Sequence, residues 1–283
     1  MLFKMSEFDW FSRIAGMNYY YRYYPIEYFY ESLNKNGITQ LELWTCTQHF
    51  DINQFTYQDT KRFLKKQKKY GLKTICVTPE QSNPKPYNLA AKDELLQKKA
   101  ISYFENTIRV ASELESPYIS MNSGWNFYNE NIDEAFKRSM SNMSYLAHFA
   151  KKFDVAIVFE ALQPEESNIV NSLSDLQRYI QGMGSDNVFI NIDFGAMSRA
   201  NETIDDYYRI FPNSIRHCHF VDGNPTGHLS WGEGTRDVLE DISRLHDNGY
   251  AGNLTFEFAQ SRYFAHPFDV DKRAIDFLKK TLN

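Results

Sequence analysis

Along this chain, eight short β-prone runs alternate with longer segments of helical period, and few architectures accommodate that pattern. The runs are RIAGMN (13–18), TQLELW (39–44), KTICVTP (73–79), PYISMN (117–122), VAIVFE (155–160), VFINID (188–193), RHCHFV (216–221) and NLTFEF (253–258). Helices are expected over 25–35, 58–70, 95–115, 132–153, 173–182, 202–211, 235–247 and 270–281. Glycine in KNG, KYG and HDNGYAG stands where a helix commonly ends in a left-handed residue before the next strand. An open doubly wound sheet also alternates β with α, but the Gly-rich phosphate fingerprint of its first turn is missing here. Eight complete units, at about 30 residues each, match a closed barrel of roughly 250 residues. The expected fold is α/β, a single-domain (β/α)8 TIM barrel occupying residues 1–283.

With 42% hydrophobic residues and no Gly/Ser/Pro-rich linker, the chain can bury one large core. A net charge of -5 without a long basic run argues against a nucleic-acid partner. Cys46, Cys76 and Cys218 are odd in number and far apart, which fits neither a disulfide framework nor a thiolate zinc site; a reducing cytoplasm is the expected location. The stretch MLFKMSEFDWF lacks the features of a secretory signal. No apolar run approaches the roughly 18 residues that cross a bilayer, so no membrane partner is expected.

Four strand ends carry the chemistry. Glu160 ends the fifth run, Asp193 ends the sixth, His219 lies in the seventh and Glu257 lies near the end of the eighth. Functional side chains of a closed βα barrel project from these carboxyl ends, and consecutive strands let the four converge. Carboxylates crowded together repel unless a cation neutralises them, so a divalent metal ion is the economical explanation. Three carboxylates and one imidazole suit Mn²⁺ or Mg²⁺, with Co²⁺, Zn²⁺ and Ni²⁺ left open. The competing reading is that each acid caps a helix or pairs with an arginine. His217 and His219 share a face at strand period; His219, nearer the end, is the expected ligand, while His217 packs or hydrogen-bonds one layer below. Cys218 should face the helices as core.

The motifs FEALQPEESN, NIDFGA, HCHFVDG, GHLSWGEG and TFEFA together resemble the sugar isomerases and epimerases of the xylose isomerase-like TIM barrel superfamily. The pattern is nearest to the fructoselysine 3-epimerase type and more distant from the tagatose and psicose 3-epimerases; LELWTCTQHF and VTPEQSNPKPYN extend it into the first half. The resemblance implies a metal held by Glu160, Asp193, His219 and Glu257, with the sugar's O2 and O3 completing its shell. It also implies substrate-binding roles for Glu166 and for His228 ahead of GEG. Ala196 and Pro225 stand where the tagatose type carries a histidine and an arginine, which points to a substrate larger or less polar at one end than a plain ketohexose.

The expected reaction is inversion of C3 in a ketose or ketosamine through an enediolate, with Glu160 and Glu257 on opposite faces as proton donor and acceptor. Aldose-ketose isomerisation on the same scaffold is the alternative. An apurinic-endonuclease-type metallohydrolase and a non-catalytic sugar-binding barrel are more remote alternatives. Trp44 and His49 are candidates for stacking on the sugar, with ordinary packing the rival reading for Trp44. Asn88, Trp125 and Tyr19 are further loop candidates for lining the pocket. In YYYRYYPIEYFY, Ile26, Phe29 and Tyr30 have the spacing of a packed helix, leaving Tyr19 to Tyr24 to close the site or to make an oligomer contact. By the same resemblance, a dimer or tetramer is expected.

Overall fold

The computed structural model describes residues 8–82 and 85–282; the MLFKMSE end and Asn83 and Pro84 of the VTPEQSNPKPYN motif lie outside them. Each of the eight runs forms a strand: β1 Ile14–Met17, β2 Gln40–Trp44, β3 Lys73–Thr78, β4 Tyr118–Met121, β5 Ala156–Phe159, β6 Val188–Asp193, β7 Ile215–His219 and β8 Asn253–Phe256. All pairings are parallel, and β1 meets β8 through Ile14 with Leu254, Ala15 with Thr255 and Gly16 with Phe256, so the sheet closes on itself.

Among the described residues the helices are α1 Ile26–Asn36, α2 Thr60–Lys69, α3 Glu94–Glu113, α4 Ile132–Lys151, α5 Leu173–Met183, α6 Phe194–Arg199, α7 Ile204–Ile210, α8 Val238–Asp247 and α9 Pro267–Leu282. Helices α2 to α5, α7 and α8 begin on Asp59, Asp93, Asn131, Ser172, Thr203 and Asp237, whose side chains accept first-turn amide hydrogens that the helix itself cannot pair. Gly37, Gly71 and Gly249 all have positive φ, as the helix-end reading required. Gly16 has a different reason: a Cβ there would sit 2.4 Å from Cδ2 of Leu33, so α1 packs directly on the β1 backbone.

Helix α6 was not expected. It starts at once after β6, where the short NIDFGA segment reads only as a strand end. Its first turn is capped by Asp193, which accepts from the amide of Ala196 at 2.6 Å.

Cys218 is buried in the apolar core and His217 lies inside the barrel, as strand alternation demands. Polar residues are also buried in the barrel strands: Glu42, Asn191, His217 and Thr255 are all fully buried. Two of these sit where register shifts: between Leu41 and Glu42 in β2, and between Ile190 and Asn191 in β6. Such irregularities re-aim side chains, and here they lie just under the barrel mouth.

The aromatic run divides differently from the expected lid. Tyr20 and Tyr21 are fully buried and donate to Asp271 of α9, Tyr21 at 2.5 Å, while Ser32 of α1 donates to the same carboxylate at 2.7 Å. They tie the loop after β1 to the last helix instead of covering the site. Ile26, Phe29 and Tyr30 are buried as the helical spacing predicts.

Candidate active site

Strand register assembles the site. Asp193 pairs across to His219, and Asn191 pairs to His217 one layer below. Glu160 follows β5 and Glu257 follows β8, so both carboxylates enter at the level of His219. Nδ1 of His219 lies 2.9 Å from Glu257, 3.0 Å from Glu160 and 3.5 Å from Asp193. Thus the four expected residues converge around one nitrogen.

No lysine or arginine nitrogen pairs with these three carboxylates among the described residues; their ionic partners are His219 and His228 alone. Two like charges 4 Å apart repel by about 4 kcal/mol at an effective dielectric constant of 20. Burial pushes the carboxyls of Glu160 and Glu257 upward, with His219 opposing. Burial acts on Asp193 in the same sense, but His228 and His219 outweigh it and hold that carboxyl low. Glu160, Asp193 and His219 offer ligand atoms within 4.8 Å of one another, as do Asp193, His228 and Glu257. Oxygen-rich donors with one imidazole nitrogen, and no fixed cation to neutralise them, fit a divalent metal ion. One oxygen of Asp193 caps α6, as the competing reading had it, while the other faces His219 and His228.

Glu42 is a site residue that the sequence reading missed. It is fully buried in β2, 2.6 Å from Nε2 of His217 and 3.2 Å from Nε2 of His219, and it also accepts from Thr78. Burial would push its carboxyl up, yet His217 and His219 hold it well below the usual range. An Nε2 proton of His219 directed at Glu42 leaves Nδ1 free to face the three carboxylates. The signal was present in TQLELW, a lone acid inside an apolar strand two residues before Trp44.

Above this cluster opens a cavity of about 340 Å³, lined in part by Tyr19, Trp44, Glu160, Glu166, His228 and Glu257. Its size suits a small-molecule site. Glu166 and His228 both line it. Burial raises the Glu166 carboxyl to about 7, with His228 opposing and Asp193 and Glu257 adding to the rise. Burial disfavours a charged His228, but Asp193 at 2.9 Å overrides it and lifts the imidazole to about 10.

On the other wall, Arg22 stacks 4.1 Å above Tyr19 and 5.0 Å above Trp44, a cation–π arrangement that sequence spacing did not reveal. His49 does not line the cavity. Its Nδ1 lies 2.7 Å from the Asn18 amide and its Nε2 2.8 Å from the Tyr24 carbonyl, and Asn18 in turn brackets the backbone of Trp44. His49 thus supports the Trp44 wall from behind. Asn88 and Trp125 also fall outside this cavity and line a neighbouring one.

The chain matches the xylose isomerase-like TIM barrel family over residues 30–281. It is 25% identical over 260 residues to fructoselysine 3-epimerase of Shigella flexneri, a match covering 91% of this chain and 94% of that one. Among solved structures, D-psicose 3-epimerase in the presence of D-fructose superposes with a TM-score of 0.78 at 18% identity, over 95% of this chain and 99% of the other. The IOLI protein with a zinc atom superposes with a TM-score of 0.74 at 16% identity, over 95% of this chain and 96% of the other. Sugar 3-epimerases are thus its homologues, at low identity. The family match over most of the chain and the closed eight-stranded barrel agree: this protein belongs to the xylose isomerase-like TIM barrel family.

Proposed function

We propose that the protein is a divalent-metal-dependent epimerase that inverts C3 of a ketose or ketosamine. The observation that carries this reading is the placement of Glu160 and Glu257, whose carboxylates approach Nδ1 of His219 from β5 and β8 at 3.0 and 2.9 Å beneath one cavity. Inversion requires a proton to leave C3 on one face and a proton to arrive on the other, which two opposed carboxylates accomplish and one fixed base does not. Glu160, Asp193, His219 and Glu257 would hold the metal, whose contribution when bound is to polarise the sugar carbonyl next to C3. One glutamate takes the C3 proton, leaving an enediolate; the other delivers a proton to the opposite face, and the roles exchange in reverse. Glu166 and His228 orient the sugar's polar groups, and Trp44 packs against its apolar face. The name of the Shigella relative supports a ketosamine, as does Ala196 beside the site.

The test is proton NMR in D₂O with diamagnetic Mg²⁺ or Zn²⁺, using unphosphorylated ketohexoses and fructosamine-type adducts. Loss of the H3 signal together with the 3-epimer is expected. Exchange confined to C1 would replace this reading with aldose-ketose isomerisation.

Glu42 provides a smaller, separate check. Glu42→Gln should weaken divalent-metal binding roughly 10- to 100-fold, as loss of a partner that orients a metal-binding histidine generally does. Calorimetric titration of the metal-free protein with Mn²⁺ reads the effect directly. Unchanged affinity in a folded variant would mean that His219 keeps its orientation without Glu42.

A further inference from the structure

The protein holds its two opposed glutamates differently. Glu160 is fixed at both ends. Its backbone amide donates to the Met121 carbonyl at 3.1 Å, which ties it to β4. Its Oε2 lies 3.0 Å from Nδ1 of His219 and accepts from the side-chain amide of Asn191 at 3.1 Å. Glu257 has no such donor: among the described residues the polar partners of its side chain are His219 and His228. The difference shows in exposure, 6% for the Glu160 side chain against 21% for that of Glu257.

Asn191 is not in this place for packing. It is fully buried, two positions before Asp193 on the same face of β6, and pairs across to His217 just past a register shift. Its Oδ1 is buried without a hydrogen-bond partner. An amide so placed costs stability that a leucine would not, because its carbonyl gives up water and gains no donor in return. The other end of the amide does use the position. Nδ2 is 3.3 and 3.2 Å from the two ring nitrogens of His219, committed to neither, and its one charged acceptor is Glu160. Turned over, the amide would set its carbonyl oxygen against that carboxylate, so charge fixes its orientation.

We propose that Asn191 is a positioning residue for Glu160. It pins Oε2 beside His219 and leaves Oε1, which has no hydrogen-bond partner among the described residues, to exchange a proton with C3 of the sugar. No donor of this kind holds Glu257, so Asn191 governs proton transfer on one face of the sugar and not on the other. The inference rests on the epimerase reading of the site.

The experiment takes the two C3 epimers of a substrate separately in D₂O with saturating Mg²⁺, and NMR follows deuterium entering C3 of the sugar not yet converted. Uptake of this kind needs only the carboxylate that removes the proton, so each epimer reports one glutamate. Asn191→Leu should slow uptake by one epimer about 10- to 100-fold, the usual cost of losing a group that orients a metal-site side chain, and leave the other unchanged. Glu257→Gln should do the reverse and slow the epimer that Asn191→Leu spares. Both epimers are measured on one protein sample, so the fraction of folded, metal-loaded protein cancels from their ratio. Asn191→Ala removes the same donor without added bulk and should give the same ratio. Equal slowing of both epimers, no slowing of either, or slowing of the same epimer by Asn191→Leu and Glu257→Gln overturns the assignment while leaving the epimerase reading in place. A wild type that exchanges C3 of no ketose or ketosamine removes that reading, and the assignment with it.

Discussion

Glu257→Gln is expected to slow interconversion of the two C3 epimers by about 10³-fold, within the range that removal of a positioned general acid or base produces. Deuterium uptake from solvent should fall equally for the epimer whose C3 proton faces Glu257. Gln keeps an oxygen near the position of Oε2, 2.9 Å from Nδ1 of His219, while losing the capacity to accept a proton and hold a negative charge. Bound metal must be measured beside the rate, because the same side chain is assigned to both tasks. A variant that retains the metal and loses the rate isolates proton transfer. Near-wild-type uptake with both epimers would show that Glu257 is not the group that moves the proton, and the two-carboxylate mechanism would be lost with it.

The second large effect concerns the seam of the barrel. Asp271 is almost fully buried and receives hydrogen bonds from Tyr20, Tyr21 and Ser32. Burial raises its carboxyl from the ordinary 3.8 to about 6, with the three hydroxyls opposing that rise. The native state therefore holds this proton more firmly than the unfolded chain. The resulting stabilisation is fully present below about pH 4 and is lost as pH rises through about 6, because the folded form then keeps an ionised carboxylate out of water. The gap corresponds to about 3 kcal/mol. Asp271→Asn has no such proton, so the difference in unfolding free energy between wild type and variant should change by about that amount between pH 4 and 7.5, with the wild type losing ground as pH rises. Urea melts across that range read it. Parallel curves would show that Asp271 does not titrate in this window.

Much of the site was legible because barrel geometry converts sequence order into position. An acid or histidine at the end of each of β5 to β8 is carried to one mouth, whichever loops lie between. Periodicity separated His217 from Cys218, and the helix-ending glycines marked strand starts at β2, β3 and β8. Ala196, next to Asp193, and His228, ahead of GEG, followed from motif likeness. Less legible were residues whose neighbours come from distant segments. His49 lies in the expected loop but points to Asn18 and Tyr24, and Tyr20 and Tyr21 turn inward to α9.

The order of strands and helices, the four residues at the last four strand ends, and the apolar or polar face of each strand follow from the amino-acid sequence, since they depend on local period and chain order. The pairing of Glu42 with two histidines 175 and 177 residues away and the shared work of Asp193 as helix cap and site carboxylate were decided only by the closed barrel. Closure sets which side chains from opposite strands meet, and register shifts at Glu42 and Asn191 set their height. Those are properties of the whole sheet, and no single segment encodes them.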